Sequence, residues 1–441
     1  MTKTNRIPLL RSYKLLGETN EYTGDPLGFL QRNQEIHGDA FAFRLAHRVI
    51  HFVNDPAPIH HMLQANHRNY KKSLAYRKLS LMLGNGLFTS DGDFWLRQRR
   101  LAQPAFHRER IEGYFEIIKR HTADFVTSAC HAQSGIMLGS EMTKLALKII
   151  SEALLGLNLQ NQYEIIEEKL PWLMRFMIRR ITSGLSMPLW IPTGNNRHFQ
   201  LYSREIRHMI EEMITEKRLD PSGNDLLTEL INMVDEETGE GMNNEQLTDE
   251  VLTFFLAGHE TTAVAAFWTM YLLGVNPEAT AKLKAELSGL KFSELQLSDL
   301  RELSYLDAVI KESMRIYSPV WVLGREALAD DQIGPYHISK GDSIIFSPYM
   351  LHRHTAYWDD PLSFKPERFI DGTEIVKNTY FPFGNGPRLC IGKSFSLLEL
   401  KVMLFAMVNE LNLQFEDVTF PGFDCSLTLR PAEDRAVRIG R

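Results

Sequence analysis

Phe383-Gly-Asn-Gly-Pro-Arg-Leu-Cys390-Ile-Gly392 is the stretch of this 441-residue chain from which its fold and chemistry are best approached. It places a single cysteine in a glycine-rich loop, and the apolar run from Ser394 onward predicts a helix directly behind it. Because glycine has no Cβ, such a loop can approach a flat ring closely and turn its N–H groups toward the sulfur. The positive N-terminal end of the helix favours a thiolate over a thiol. The pattern therefore suits a thiolate that binds a metal.

The number of cysteines limits which metal site is possible. Zinc and iron–sulfur sites need several thiolates or imidazoles, and Cys390 has no CxxC partner. One thiolate is enough as the axial ligand of a haem iron. The alternative is a buried structural cysteine, which is the usual role of an isolated one. Cys130 lies in an amphipathic segment and Cys425 in a strand-like region, so both are predicted to be small core residues.

Composition places the chain among soluble globular proteins, with 44% hydrophobic and 24% charged residues. The net charge of −6 argues against general binding of nucleic acid or of an anionic membrane. Three cysteines form no paired framework, which predicts a reducing, cytoplasmic location. The N-terminus has no apolar signal region, and the longest charge-free apolar segment, 261–276, is shorter than the roughly 20 residues that span a bilayer. We therefore expect no membrane anchor.

The order of the patterns predicts one large domain over residues 1–441, mainly α-helical and of the α+β class. Residues 1–38 are expected to be irregular, and the alternation between Phe41 and Val53 predicts a β-hairpin. Short strands are expected in 320–350 and 412–441. Helical periodicity dominates 56–320, most clearly in segments 109–131, 141–155, 196–218 and 224–234.

A long helix is predicted from Asn243 or Asn244 to Val275, where Asn276-Pro277 ends it. Some 32 residues give a rod of about 48 Å. Inside its buried half lies Ala257-Gly-His-Glu260-Thr261-Thr262, where a glycine, an acid and two threonines all disfavour regular helix. We expect a local opening with a carboxylate and a hydroxyl at a cavity, which would suit proton delivery. The alternative is a kink with Glu260 ion-paired elsewhere.

Three further patterns are weak when taken singly. Glu312 and Arg315 lie at i, i+3 on one helical face, a spacing that is usually surface decoration. Trp95 and Arg99 lie at i, i+4, and an arginine there suits a buried carboxylate such as a haem propionate, although a basic surface helix is the alternative. Arg388, two residues before the cysteine, is a second candidate for that task.

Taken together, these motifs resemble the cytochrome P-450 haem-thiolate monooxygenases. The haem-loop pattern Phe-x-x-Gly-x-x-x-Cys-x-Gly is matched by Phe383, Gly386, Cys390 and Gly392. The other family patterns occur in the same order as in that family and extend the resemblance over nearly the whole chain: Ala257 to Thr261 of the long helix, Glu312 with Arg315, Arg368 of Pro-Glu-Arg-Phe, and Trp95 with Arg99.

The resemblance implies the cytochrome P-450 fold, haem b as cofactor and a role for each matching residue. Cys390 would ligate the iron, with Phe383 and Gly392 beside it. Glu260 and Thr261 would relay protons to dioxygen. Glu312, Arg315 and Arg368 would form a structural ionic triad. The haem propionates would be held by Trp95, Arg99, Arg325 and Arg388.

No reductase is fused in this sequence, so electrons are expected from a ferredoxin or flavodoxin with its NAD(P)H reductase, and a monomer is expected. Arg97, Arg100 and Lys393 are a candidate docking face for an acidic partner. A peroxide-driven hydroxylase on the same fold, or a haem-based gas-binding sensor, is the alternative. The intact Glu260-Thr261 pair argues against the first, and the lack of a signalling domain argues against the second.

The substrate is expected to be a hydrophobic small molecule. Asn85-Gly-Leu-Phe88 and the Ala257–Thr262 run resemble fatty-acid and long-chain hydroxylases, and Arg48 falls where such enzymes can present a cation to a carboxylate. Trp321 departs from the family's usual Pro-Pro pattern and would shorten the pocket or favour a flat steroid or terpenoid. The substrate contacts that the resemblance implies, besides Arg48, are Leu87, Phe88, Leu256, Ala257, Val320, Trp321 and Val322.

Overall fold

The computed structural model shows a helix-rich protein with small sheets, as the sequence predicts. It describes residues 5–132, 135–156, 163–183, 186–220, 222–223, 225–370 and 375–440. Within these residues, no helix has both the length and the apolar character needed to cross a bilayer.

The helices of the described residues range from single turns to a few long rods. In chain order they are α1 Thr19–Gly24, α2 Pro26–His37, α3 Pro56–His60, α4 Leu74–Leu83, α5 Gly92–Ala102, α6 Arg108–Gly113, α7 Phe115–His131, α8 Leu138–Leu155, α9 Tyr163–Thr182, α10 Gly194–Leu219, α11 Leu226–Asn232, α12 Asn244–Val275, α13 Pro277–Leu287, α14 Asp299–Glu302, α15 Ser304–Ile316, α16 Pro348–Leu351 and α17 Lys393–Asn409. A π-helical turn, His61–Ala65, continues directly from α3.

The strands form one five-stranded sheet and three smaller ones. They are β1 Ala40–Leu45, β2 Arg48–Val53, β3 Tyr70–Lys72, β4 Ile136–Met137, β5 Leu323–Ala327, β6 Asp331–Ile333, β7 Tyr336–Ile338, β8 Ser343–Phe346, β9 Asn412–Phe415, β10 Phe423–Cys425, β11 Leu429–Pro431 and β12 Ala436–Gly440. The five-stranded sheet has the order β1-β2-β8-β5-β3, and the smaller sheets are β10-β11, β4-β12-β9 and β6-β7.

Helix α12 is the central rod, and its predicted bounds are confirmed. Asn243 accepts a hydrogen bond from the Gln246 backbone while the Gln246 side chain accepts one from the Asn243 backbone, so a complete capping box begins the helix. The expected opening near Thr261 is wrong, because the helix is unbroken from Asn244 to Val275. The Thr261 hydroxyl donates to the Ala257 carbonyl at 2.6 Å, so it is satisfied without displacing the backbone hydrogen bonds.

The N-terminal region contains both a confirmed prediction and a wrong one. Strands β1 and β2 form the predicted antiparallel hairpin, with Ala40 opposite Val53. Residues 1–38 are not irregular throughout, because α1 and α2 lie within them. Asp25 caps α2 by accepting from the Gly28 backbone at 2.9 Å, and Pro26 occupies the first helical position. This Asp-Pro start signal was visible in the sequence.

Candidate active site

The cysteine loop is shaped by close contact with a distant turn. Gly386 has φ +71°, and a Cβ there would overlap the carbonyl oxygen of Leu63 in the turn His61–Ala65. Only glycine tolerates both conditions. The Cys390 backbone N–H donates to the Phe383 carbonyl at 3.0 Å, and α17 begins three residues later with Gly392 as its N-cap. The sulfur therefore lies at the N-terminal end of α17.

Cys390 lies in a recess rather than in the packed core. Its side chain is exposed by surface area, yet burial raises the pKa of its thiol, so protein surrounds an open space beside it. The backbone N–H groups of Gly392 and Lys393 and the charge of Arg99 act in the opposite direction and lower that pKa. A cation bound at the sulfur would complete this stabilisation of the thiolate. Among the described residues, no group of three or more His, Cys, Asp or Glu side chains could hold a metal ion.

Helix α5 and the cysteine loop bring two of the predicted arginines together. The Arg388 guanidinium lies 4.7 Å from the centre of the Trp95 ring and is ion-paired with Asp91. Arg99 donates from Nη1 to the Leu389 carbonyl at 3.0 Å. The i, i+4 spacing of Trp95 and Arg99 thus places both side chains on the face of α5 toward the cysteine loop.

Arg325 and Lys72 add two more cations from neighbouring strands. They are register partners in the β3–β5 ladder, and both side chains are buried. Arg325 donates from Nη1 to the carbonyl of its neighbour Gly324 at 2.9 Å. Lys72 donates from Nζ to the carbonyls of Leu87 and Ser90 at 2.8 and 2.9 Å. Burial and the charges of Arg388 and Arg325 lower the pKa of Lys72 well below its usual value.

We call this group the cationic cradle and define it as Lys72, Arg99, Arg325 and Arg388. It has fewer carboxylate partners than cations. Within the described residues, Asp91 is the carboxylate that ion-pairs with it. Buried cations are costly without counter-charges, so the cradle is suited to a ligand with more than one carboxylate. The two propionates of a haem meet that requirement. Lys72 was missed from the sequence, where nothing in Tyr70-Lys-Lys72 indicates which lysine is buried.

Helix α12 is exposed at one position in the middle of its mostly buried length. Ala257 is exposed although its neighbours Phe255 and Leu256 are buried, so the helix borders an internal space there. A Cβ on Gly258 would lie 2.8 Å from the Ile150 side chain, which shows how closely α8 packs at this point.

Glu260 and Thr261 point to different partners. The Glu260 carboxylate accepts from the Thr428 hydroxyl at 2.7 Å and lies 3.7 Å from Nε of Arg430. The Arg430 side chain is 31% exposed, although its Nε, which faces Glu260, is buried. Glu260 therefore has both a hydroxyl and a guanidinium as partners in this structure.

The three members of the predicted ionic triad meet at one buried carboxylate. Glu312 accepts from Arg315 at 2.6 and 2.8 Å and from Arg368 at 3.3 Å. Glu312 and Arg315 are completely buried. The Arg315 guanidinium also donates to the His352 and Pro361 carbonyls and lies 5.0 Å from the centre of the Trp358 ring.

The predicted substrate contacts divide into two groups. Phe88, Ala257, Val320 and Val322 retain exposed surface, whereas Leu87 and Leu256 are buried. Trp321 does not stand at an open wall, because its ring is 3% exposed and packs in a separate core cluster with Phe29 and Phe43. Its indole donates to the Ser426 carbonyl at 3.1 Å. The prediction that Trp321 shortens the substrate pocket is therefore wrong.

Arg48 lies at the exposed start of β2 and belongs to a second basic group. Lys78 of α4 donates to the carbonyl of Arg180 at the end of α9. The charges of Arg48 and Arg180, together with burial, lower the pKa of Lys78. Among the described residues, none of these three cations has a carboxylate within ion-pair distance.

Comparisons with known proteins agree with this arrangement. The sequence profile described as cytochrome P-450 matches residues 4–436. Cyclooctatin synthase of Streptomyces melanosporofaciens is 32% identical over 391 residues, covering 87% of this chain and 84% of that protein. Cytochrome P-450 4V2 of Mus musculus is 32% identical over 405 residues, covering 84% and 76%. The crystal structure of the cytochrome P450DA heme domain superimposes with a TM-score of 0.91 at 26% identity, covering 99% of this chain and 98% of that one.

The chain belongs to the cytochrome P-450 family and is a haem-thiolate monooxygenase. Its cofactor is haem b, held through a cysteine thiolate, and the family uses dioxygen and redox partners. Another relative, cyclooctat-9-en-7-ol 5-monooxygenase of Streptomyces melanosporofaciens, is 29% identical over 415 residues, covering 91% of this chain and 88% of that protein.

Proposed function

We propose that this monooxygenase hydroxylates a hydrophobic small molecule, with a fatty acid or related lipid first and a steroid or terpenoid second. Cys390 would hold the haem iron through its thiolate, and the observation that supports this assignment is its sulfur in a recess at the N-terminal end of α17, beside a cationic cradle with few counter-charges. Bound haem supplies the activation of dioxygen, which the thiolate favours by donating electron density to the iron.

The residues of the cradle bind and orient the cofactor. Arg99, Arg325 and Arg388 hold its carboxylates, and Lys72 adds charge from β3. Trp95 supports Arg388 from below through its ring face, which restricts the guanidinium to one orientation. The Phe383 carbonyl accepts from the Cys390 backbone N–H and thereby holds the backbone of the loop at the cysteine.

Glu260 and Thr261 hold and move protons on the α12 side of the site. Glu260 takes a proton from solvent past Arg430, and the Thr428 hydroxyl is hydrogen-bonded to its carboxylate. Thr261 donates to the Ala257 carbonyl at rest, so its hydroxyl must rotate to donate elsewhere. Exposed Ala257 leaves room for that rotation. Replacing Thr261 with Val is expected to increase the hydrogen peroxide released per NADPH consumed, whereas Thr261→Ser should stay near wild type; equal coupling in all three would contradict the relay.

The choice of a lipid is supported by the basic group at Arg48, Lys78 and Arg180. These cations lie on β2, α4 and α9, and repulsion among them would be relieved by an anionic head group such as a carboxylate. The terpenoid alternative is supported by the relative that is named for a 5-monooxygenase reaction on cyclooctat-9-en-7-ol. Spectral titration with dodecanoic acid, dodecanol and cyclic terpenoid alcohols separates the two. Preference for the acid that is lost in Lys78→Met supports the lipid; tighter binding of the terpenoid alcohols supports the alternative.

Cysteine substitutions test the ligand assignment directly. Cys390→Ala is expected to lose the absorbance near 450 nm of the ferrous carbonyl adduct, whereas Cys130→Ala and Cys425→Ala keep it. The prediction that Cys130 is a core residue is wrong, because Cys130 is exposed, and Cys425 is half-buried with its pKa raised to about 12 by burial. Both serve as controls. Retention of the band in Cys390→Ala would reject the assignment.

Electrons come from a separate ferredoxin or flavodoxin with its reductase, in our proposal. Arg97 and Arg100 offer less free positive charge to a partner than the sequence implied. Arg100 is ion-paired with Asp235 and Glu237, and Arg97 lies 3.6 Å from Glu240. Lys393 is exposed at the start of α17 and keeps its charge available to an acidic partner.

A further inference from the structure

The loop between α4 and α5, residues 84–90, is attached to α12 by buried acids. The Asn85 backbone N–H donates to Asp249 at 2.6 Å, and the Leu87 backbone N–H donates to Oε2 of Glu250 at 3.0 Å. Asp249 is also ion-paired with Arg207 of α10 at 2.6 Å. The loop therefore depends on two acidic side chains of the central helix for its position.

Lys72 grips the same loop from the opposite side. Its Nζ donates to the Leu87 and Ser90 carbonyls. Both peptide groups that flank the Leu87 side chain are thus bound by buried ionisable side chains, Glu250 at the N–H and Lys72 at the carbonyl. Phe88, the next residue, keeps some exposed surface and contacts Tyr76 with ring centres 5.2 Å apart.

The loop is seated too closely on α12 for most side chains. Gly84 has φ +70°, and a Cβ there would overlap the Asp249 carboxylate. A Cβ on Gly86 would lie 2.6 Å from the Asp249 carbonyl oxygen and would overlap the Thr253 hydroxyl. Two glycines in three residues thus permit backbone contact between the loop and the helix.

A buried glutamate at position 250 destabilises the folded protein relative to an apolar residue. It is completely buried, and its Oε1 has no hydrogen-bond partner among the described residues. Leaving a buried polar oxygen unpaired is destabilising, and an apolar residue of similar size would avoid that loss. The acid therefore serves the position of the loop more than the stability of the fold.

We propose that Glu250 and Lys72 form a clamp that sets the substrate wall at Leu87 and Phe88 and so determines which molecules fit over the haem. The proposal rests on the assignment of these two residues to the substrate pocket. Because Lys72 belongs also to the cationic cradle, the clamp links the wall to cofactor binding: anions in the cradle offset the repulsion that Arg325 and Arg388 exert on Lys72.

The test compares Glu250→Leu, Glu250→Gln and Lys72→Met holoproteins with Glu245→Gln, which changes an exposed acid on the same helix. Amide hydrogen exchange reports the order of residues 84–90. The ratio of 4-phenylimidazole to imidazole affinity, measured from the haem spectrum, reports the space near the wall without requiring the natural substrate. Glutamine keeps an acceptor for the Leu87 N–H and is the conservative variant.

We expect exchange in residues 84–90 to become at least tenfold faster in Glu250→Leu and Lys72→Met, with a change of severalfold in the affinity ratio. Glu250→Gln should recover most of both effects, and Glu245→Gln should match wild type. Unchanged exchange and an unchanged ratio in Glu250→Leu and Lys72→Met would overturn the clamp. Faster exchange with an unchanged ratio would overturn its role in specificity, while a normal haem spectrum in the same samples would keep the monooxygenase assignment intact.

Discussion

The ionic triad and the cationic cradle are both buried groups of charges, but only the triad is balanced within the protein. Glu312 is bound by Arg315 and Arg368, and backbone carbonyls satisfy the remaining guanidinium donors. In the cradle, Asp91 is the carboxylate ion-paired with it among the described residues. A balanced buried group holds the fold together, whereas an unbalanced one needs a ligand. The distribution of counter-charges therefore separates structural arginines from cofactor-binding ones.

Breaking the triad should have the largest effect. Glu312→Ala leaves Arg315 buried without a carboxylate, which costs about 3–5 kcal/mol in the free energy of unfolding. We expect little folded protein and no haem incorporation, as measured by denaturant unfolding and by the haem-to-protein absorbance ratio. Glu367→Ala removes a half-exposed partner of Lys282 and should cost about 0–1 kcal/mol. A stable, haem-loaded Glu312→Ala protein would show that the triad is dispensable.

Emptying the cradle of one cation should affect the cofactor more than the fold. Arg325→Met removes a buried charge without a bound carboxylate, so the apoprotein should be as stable as wild type or more stable. Haem transfer to apomyoglobin should become roughly 10- to 100-fold faster, as expected for one charge-assisted hydrogen bond. Arg438→Met, on an exposed pair with Glu416, is the control. If the Arg325→Met apoprotein were destabilised and still retained haem normally, Arg325 would be a structural arginine like Arg315, and the distinction between cradle and triad would fail.

The effect of pH on Glu250 should be smaller but specific. Burial and the charge of Asp249 raise the pKa of Glu250 to about 8, against opposing contributions from the Leu87 N–H and Lys72. The folded protein therefore keeps a proton that the unfolded chain releases near pH 4.5, and wild-type stability falls as pH rises between these values.

Glu250→Gln lacks this proton, so its stability relative to wild type should increase by roughly 1 kcal/mol per pH unit from pH 5 to pH 8. Urea unfolding of both proteins at several pH values measures the difference, and contributions from other groups cancel. If the difference in unfolding free energy did not vary with pH, the pKa of Glu250 would be the same in the folded and unfolded protein, and the raised pKa would be wrong.

Local patterns predicted the elements, and long-range pairing accounts for most of what they missed. The bounds of α12 followed from its Asn243 cap and Asn276-Pro277 stop, and the hairpin from alternation around Phe43. The direction of the Trp321 ring depends on the packing of α2 and β1 around it, which no local pattern encodes. Likewise, the roles of Lys72 and Glu250 depend on the fold, because only the fold brings β3 and α12 together at the Leu87 backbone.

The seat of the cysteine loop also bears on the order of events in biosynthesis. Gly386 fits against the Leu63 carbonyl, and the Gln64 side chain donates to Asn385 at a sequence separation of 321. A nascent polypeptide that has just emerged past Cys390 gains the final shape of this loop only when it closes onto the turn made much earlier. Capture of haem is thus coupled to a late, long-range closure of the chain, and a ribosome-bound intermediate should bind it weakly.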